Sequence, residues 1–368
     1  MIAVNAAIVG DRPTGLGVYT LSLIHELDAL GERLVVYTSR PEAVRAPGAR
    51  LEGAPAAVRP ERGARGHLAR LVWTQTGLRL RLARLRPRLL LNLMPEGLIR
   101  PALPQVTIIH DVLPLQSPEE YPRQQYYFRH YVPTVLRHSR AVIVSSESTR
   151  RDVLAFYRLP PASLHMVPLG YDPRRFAPSP APTSNGEPYA LFLGNVMPHR
   201  NLLRLVDGFA QAVSDLPGRL VIRGWGRAAH VHALQQRIDT LGIAPRVDWR
   251  PYANDDELPD LYCGARMLLL PSLHEGFGLT ALEAMACGTP VVVSNRSSLP
   301  EVVGDAALFV DPEDPTSIAT AIRRLFTDDT LAKTHAALGL ERARLFSWEK
   351  TARAVQSILH EVLASEHR

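Results

Sequence analysis

The apolar residues of this chain come in short runs separated by stretches with helical spacing, and that rhythm leaves few folds open. Short buried strands alternating with helices mark parallel α/β layering rather than a sandwich or a helix bundle. In the first half, strands are expected at residues 2–9, 34–38, 89–94, 106–110, 141–145 and 164–168. The pattern restarts at 189–193, 220–223, 246–249, 267–270, 291–294 and 307–310. At 368 residues the chain is long for one hydrophobic core, so two α/β domains are expected. The proline-rich stretch 171–188 reads as the linker between a first domain at 1–170 and a second at 189–346. In the final segment, 347–368, Val355, Ile358, Leu359, Val362 and Leu363 form one helical stripe that needs a surface to pack on.

Several classes are disfavoured at once. No window approaches the roughly 20 consecutive apolar residues of a membrane helix. Met1-Ile2-Ala3-Val4 reads as an opening strand without a basic leader, so the expected location is cytoplasmic. Two cysteines, Cys263 and Cys287, are too few for a disulfide framework or a metal cluster. Charge is more informative. Lysine occurs only at Lys333 and Lys350, and nine arginines lie between Arg59 and Arg88 against one acid, Glu61. Leu68, Leu71, Val72, Leu78, Leu80 and Leu82 are interleaved with them. A basic helix face with apolar neighbours suits anionic lipid headgroups or a phosphorylated acceptor, and a solvated helix face explains it equally well. No recognition motif for nucleic acid accompanies the charge.

The chemistry is expected after the strand at 267–270. A loop, His274 to Gly278, leads into a helix from Leu279 that Gly288 stops. Ligands of open α/β sheets bind outside the carboxyl ends of strands. Gly276 and Gly278 leave room for backbone approach, and the first helix amides, Leu279 and Thr280, favour a diphosphate. Glu275 and Glu283 beside such a site should face hydroxyls: Glu283 a ribose diol, Glu275 the sugar beyond the diphosphate. A surface-helix glutamate is the plainer reading of Glu283, but the helix is otherwise apolar all round, and a buried glutamate needs a partner. A second glycine pair, Gly15-x-Gly17-x-x-Thr20, evokes a dinucleotide fingerprint or a plain strand-to-helix turn. The next strand ends Tyr37-Thr38-Ser39-Arg40 without the ribose-binding acid, which weighs against NAD.

The stretch Glu275-Gly-Phe277-Gly278-Leu279-Thr280-Ala-Leu-Glu283-Ala-Met-Ala-Cys-Gly-Thr-Pro-Val-Val resembles the signature of family 4 glycosyltransferases of the GT-B fold. In order along the chain, Thr14 to Thr20, His110-Asp111, Gly194 to Leu202, Arg223-Gly224-Trp225-Gly226 and Pro300 to Asp305 resemble the same family. The resemblance implies two Rossmann-like domains facing across a cleft. Donor nucleotide would lie on the second domain and acceptor mostly on the first, with the last helix crossing back. It implies retaining transfer of a hexose from a nucleotide diphosphate sugar to a hydroxyl of a glycan or lipid-linked acceptor, with no cofactor and no metal.

The implied donor contacts are Gly15 and Gly17, Asn195, Gly224 and Gly226, Arg250 and Tyr252 at the base, Phe277 to Thr280, and Glu283. Arg200 stands where the family has lysine and would stabilise the leaving diphosphate, and Asn195 where many relatives carry a second basic residue. His110 would border the reacting carbon beside Glu275. Asp111 is given no nucleophilic role. The branch resembled builds O-antigen, capsule or exopolysaccharide, which favours a GDP-linked donor such as GDP-mannose over a UDP-linked one. The rivals are a sugar-nucleotide epimerase on the same fold and a non-catalytic binder of sugar nucleotide or membrane. A pyridoxal-dependent phosphorylase is disfavoured because neither lysine lies near a strand-end site.

Overall fold

The computed structural model describes residues 1–11, 15–179, 187–214, 216–251 and 255–366. The chain divides into two compact units. One comprises Met1–Gly170 with the segment from Trp348 onward, the other Tyr171–Ser347.

The first unit is a seven-stranded parallel sheet in the order β3-β2-β1-β4-β5-β6-β7. Its strands are β1 Ile2–Asn5, β2 Leu34–Thr38, β3 Arg50–Gly53, β4 Leu89–Asn92, β5 Gln105–Ile109, β6 Ala141–Val144 and β7 Leu164–Met166. All five central strands are buried throughout, as near-continuous Val, Ile and Leu runs require when helices cover both faces. The edge strand β3 is largely exposed and reads Arg-Leu-Glu-Gly, so it lacks the apolar run by which the others are legible, and the sequence reading passed over it.

The second unit carries β8 Tyr189–Leu193, β9 Arg219–Arg223, β10 Val247–Arg250, β11 Met267–Leu270, β12 Val291–Ser294 and β13 Ala307–Val310. They pair in parallel in the order β10-β9-β8-β11-β12-β13. Both sheets are doubly wound: strand order reverses between β1 and β4 in one and between β8 and β11 in the other, which opens a crevice at the carboxyl ends of those strands.

One segment differs from the strand-to-helix turn expected. Gly15 to Thr20 are not a loop but the first turns of the helix Gly15–Ala29, and Thr14 lies outside the described residues. Within the presumed linker, Phe176 is buried and its ring meets that of Tyr262 edge-on at 5.8 Å, so this part of the segment packs into the second unit.

The last helix, Trp348–Ser365, lies on the helix Gly15–Ala29. Val355, Ile358, Leu359 and Val362 are buried. Trp348 meets Tyr19 at 5.8 Å, and the Thr351 hydroxyl donates to the Pro168 carbonyl at 2.8 Å.

The arginine-rich stretch folds as the helix Gly63–Trp73, a π turn Thr74–Leu78 and the helix Arg79–Leu85. It is not one uniform basic face. Arg70 points inward, its Nε donating to both Glu96 carboxylate oxygens at 3.1 and 2.7 Å and Nη1 to the Val58 carbonyl at 2.9 Å. Arg62, Arg65, Arg79 and Arg84 stay exposed, together with Leu68, Val72 and Leu80. Among the described residues, no helix is long and apolar enough to cross a membrane.

Candidate functional site

The site is built where the loops after β8 and β11 meet. After β8 the chain runs through Gly194 and Asn195 into the short turn Pro198–Arg200. Asn201 then adopts a left-handed conformation (φ 62°), and its amide donates to the Pro271 and Pro312 carbonyls at 3.0 and 2.6 Å. The Leu273 N–H donates to the His199 carbonyl at 2.7 Å, joining the two loops through the backbone. This brings Arg200 against Glu275: the two form an ion pair, and Arg200 Nε also donates to Asn195 Oδ1 at 3.3 Å. Three residues 80 positions apart at most in sequence thus form one polar cluster at the crevice. His199 is buried beside it, and burial, with Arg200 and His274 nearby, pushes its imidazole down to about 3.

Glu275 is held from several sides. The Ser272 hydroxyl donates to its Oε1 at 2.9 Å. Its backbone N–H donates to Ser297 Oγ at 3.0 Å, and its carbonyl accepts from Ser297 Oγ at 2.7 Å and Ser298 Oγ at 2.9 Å. Phe277 is buried and meets Phe346 edge-on at 5.9 Å.

Gly278 enters the helix Leu279–Ala286 at φ 101°, where a side chain would be strained, and a Cβ there would lie 2.7 Å from Leu299 Cδ2. No side chain caps this helix, and Leu279 and Thr280 at its start are half-exposed. Their amides are therefore placed to receive an anion.

Glu283, one turn further, is buried and accepts a hydrogen bond from the Tyr262 hydroxyl at 2.8 Å. Here is the partner that a buried glutamate requires. Tyr262 is itself fully buried on the helix Leu258–Gly264, and burial together with the Glu283 charge raises its phenol well above the ordinary range.

The loop after β9 lies against the one after β8, at the carboxyl end of the same sheet. A Cβ on Gly224 would run into the Gly194 carbonyl, and one on Gly226 into the Val196 carbonyl. Both glycines are thus required for this loop to lie against the one after β8, where Val196 pairs with Gly226. The Arg250 carbonyl accepts from the Gly224 N–H at 3.0 Å, while its side chain is exposed and donates to Asp248 at 3.2 Å. Tyr252 lies outside the described residues.

His110 belongs to the first unit. It follows β5, its Nε2–H donates to the Leu93 carbonyl at 3.1 Å, and its ring meets Tyr19 edge-on at 4.6 Å. Burial pushes the imidazole down to about 4, opposed by that carbonyl. Tyr19 stands on the helix opened by Gly15 and Gly17, so this helix and His110 form one cluster. Asp111 Oδ1 accepts from the Leu113 N–H at 3.1 Å, a turn-forming contact.

Sequence reasoning missed Tyr262, Ser272, Ser297 and Ser298. Tyr262 is 21 positions from its partner and Ser297 and Ser298 are 22 and 23 from theirs, so nothing local couples these three, while Ser272 lies only three residues from Glu275.

Two family models match the chain, Glycosyltransferase Family 4 over residues 13–175 and Glycosyl transferases group 1 over 174–341. The O-antigen chain mannosyltransferase B of Escherichia coli is 32% identical over 255 residues, 66% of this chain and 67% of that protein. Other curated relatives, at similar identity, are spanned over about half their length, 54% and 51% for two of them. Among solved structures, sucrose-phosphate synthase from Thermosynechococcus elongatus superimposes with a TM-score of 0.81 at 21% identity over 99% of both chains. Anabaena HepE in complex with UDP and glucose does so with a TM-score of 0.77 at 20% identity, over 98% of this chain and 100% of that one. The chain belongs to glycosyltransferase family 4, and its fold is GT-B.

Proposed function

We propose that this glycosyltransferase moves a hexose, mannose or a close relative, from a nucleotide diphosphate sugar to a hydroxyl of a glycan or lipid-linked acceptor with retention of configuration. The observation that carries the reading is the Arg200–Glu275 pair beside the uncapped start of the helix Leu279–Ala286. Cleavage of the donor puts negative charge on the departing diphosphate. Arg200 and the Leu279 and Thr280 amides supply fixed positive ends to meet it, and the reading needs no metal. Glu283 offers the ribose diol a carboxylate whose Oε2 is already oriented by Tyr262. Glu275 accepts from hydroxyls of the transferred sugar, and neutral His110 borders the reacting carbon as a hydrogen-bonding group rather than a cation.

A GDP-linked donor is favoured over a UDP-linked one. The mannosyltransferase relative supports it at 32% identity, whereas the UDP-bound neighbour, at 20%, bears on the fold alone. A melting-temperature screen against nucleotide sugars tests this, because a ligand at a hundred times its Kd stabilises by about 2.7 kcal/mol. GDP-mannose should raise the melting temperature most; no shift with any nucleotide sugar overturns the reading.

The same reading seats the first unit on an anionic lipid surface. Residues 1–170 carry 22 arginines and 13 acids, and residues 171–347 carry 17 basic and 20 acidic residues, so the chain's +6 conceals opposite signs. The helices of residues 63–85 expose Arg65, Arg79 and Arg84 together with Leu68, Val72 and Leu80, the composition of an interfacial face. In vesicle flotation the protein should rise with anionic vesicles and stay down with neutral ones; equal recovery defeats the assignment.

A further inference from the structure

Ser297 holds φ 59°, a left-handed conformation that costs a residue with a Cβ. Among the described residues two other non-glycines share it, and each sits at a helix end: Arg86 closes the helix Arg79–Leu85 and Asn201 opens the helix Leu202–Ala212. Ser297 stands in the loop after β12, immediately before Ser298 at the start of the helix Leu299–Val303, where glycine would adopt the same backbone without strain. What glycine lacks is the hydroxyl. That hydroxyl accepts from the Glu275 N–H and donates to the Glu275 carbonyl, so it grips both backbone groups of one residue. Ser298, fully buried, adds a second donor to the same carbonyl, and Ser272, also buried, fixes the carboxylate. Leu299, next in sequence, fills the space beside Gly278. The pairing of Leu270 with Val293 sets the register that lets the β12 loop brace the β11 loop.

We infer that Ser297 and Ser298 are positioning residues for transfer, a serine clamp that fixes Glu275 on its loop so that the carboxylate meets the sugar. The inference rests on Glu275 touching the transferred sugar. A carboxylate on a loop is useful only if held within a fraction of an ångström of its working position. The clamp does this through neutral hydroxyls and so adds no charge beside a diphosphate. Backbone strain retained at a functional loop is then explained by the contact it makes possible.

Substitution at one position separates the hydroxyl from the backbone. Ser297→Ala keeps the strained conformation and Ser297→Gly relieves it, yet both delete the hydroxyl. Release of GDP from GDP-mannose, and of UDP from UDP-glucose, by the full chain should fall about tenfold or more in both variants. The Kd for free GDP or UDP should stay within about twofold of the parent, since the nucleotide is held at Glu283, and the melting temperature should be kept. Parent turnover in Ser297→Gly overturns the clamp, because only the backbone shape would then matter. Ser298→Ala provides a second reading should either variant fold poorly, and normal turnover there also counts against it. Glu275→Gln run in parallel separates the failures. If it turns over normally, the role of Glu275 falls and the clamp with it; if it is slow while the serine variants are normal, the clamp alone falls.

Discussion

The strands β4 and β11 occupy equivalent places in the two sheets, each beside the first strand of its unit, and each is followed by a loop bearing a glutamate that pairs with an arginine. The two pairs are built for different work. The Arg70–Glu96 pair itself is closed: the two side chains are 7% and 6% exposed, Arg70 spends a further N–H on the Val58 carbonyl, and the half-exposed His67 covers the carboxylate at 3.5 Å. Around Glu275 the carboxylate is 8% exposed but Arg200 is 22% exposed, and Arg200 also donates to the neutral Asn195. A sealed pair has no free valence for a ligand. A half-open pair beside free helix amides can exchange an internal contact for a substrate contact. On the proposed function, the same residue types on the same topology serve cohesion in one unit and transfer in the other, and exposure of the arginine is what distinguishes the two pairs.

The largest effect should come from breaking the sealed pair. Arg70→Met strands a buried carboxylate and should lower unfolding free energy by about 3–5 kcal/mol in chemical denaturation. Arg200→Met should cost less, because Ser272 still donates to the Glu275 carboxylate and Arg200 is itself half-exposed, and a comparable loss in both would erase the contrast. Next, Glu275→Ala should cut transfer at least about 100-fold, roughly 2.7 kcal/mol of barrier, while the protein melts normally; near-parent turnover would remove Glu275 from the chemistry. Smaller still is Tyr262→Phe. Losing one hydrogen bond to a charged group costs about 1.5–3 kcal/mol at most. The loss should appear mainly as weaker nucleotide binding by calorimetry, and unchanged affinity would leave Tyr262 a core residue only.

Acid should act on both units, because a histidine in each has its imidazole pushed down by burial. Above the ordinary imidazole range His110 and His199 are neutral in both folded and unfolded chains. As pH falls through about 6.5 the unfolded chain takes up protons that the folded chain refuses until about pH 4 at His110 and about pH 3 at His199. Stability should therefore decline across that window, and His199→Gln should flatten the decline in a series of melting curves. An unchanged slope would show that carboxylates dominate the acid limb.

Much of the scaffold could be read from the chain because it rests on local pattern. Leu34–Thr38, Tyr189–Leu193, Met267–Leu270 and Val291–Ser294 match their largely apolar runs residue for residue, since a strand covered on both faces is apolar nearly throughout, and the edge strand Ala307–Val310 is legible because it is apolar even with Phe309 exposed. The edge strand Arg50–Gly53 escaped because it carries only one large apolar residue, Leu51, so it shows no apolar run. In the site, Glu275, Gly278 and Glu283 stood out through one contiguous stretch. Arg70 did not stand out from the eight arginines around it, and only packing turned it inward to Glu96.

By itself the sequence determined the alternation of strands and helices, the family and the residues of the Glu275-to-Glu283 stretch, all of which depend on neighbours along the chain. Tertiary structure alone decided that Tyr262 faces Glu283, that Ser297 and Ser298 grip Glu275, and that Arg200 reaches it from the β8 loop. The physical reason is that hydrogen bonds and ion pairs are fixed by distance in space. Parallel strands bring their carboxyl-end loops together only after crossovers long enough to erase any trace of the pairing in the sequence.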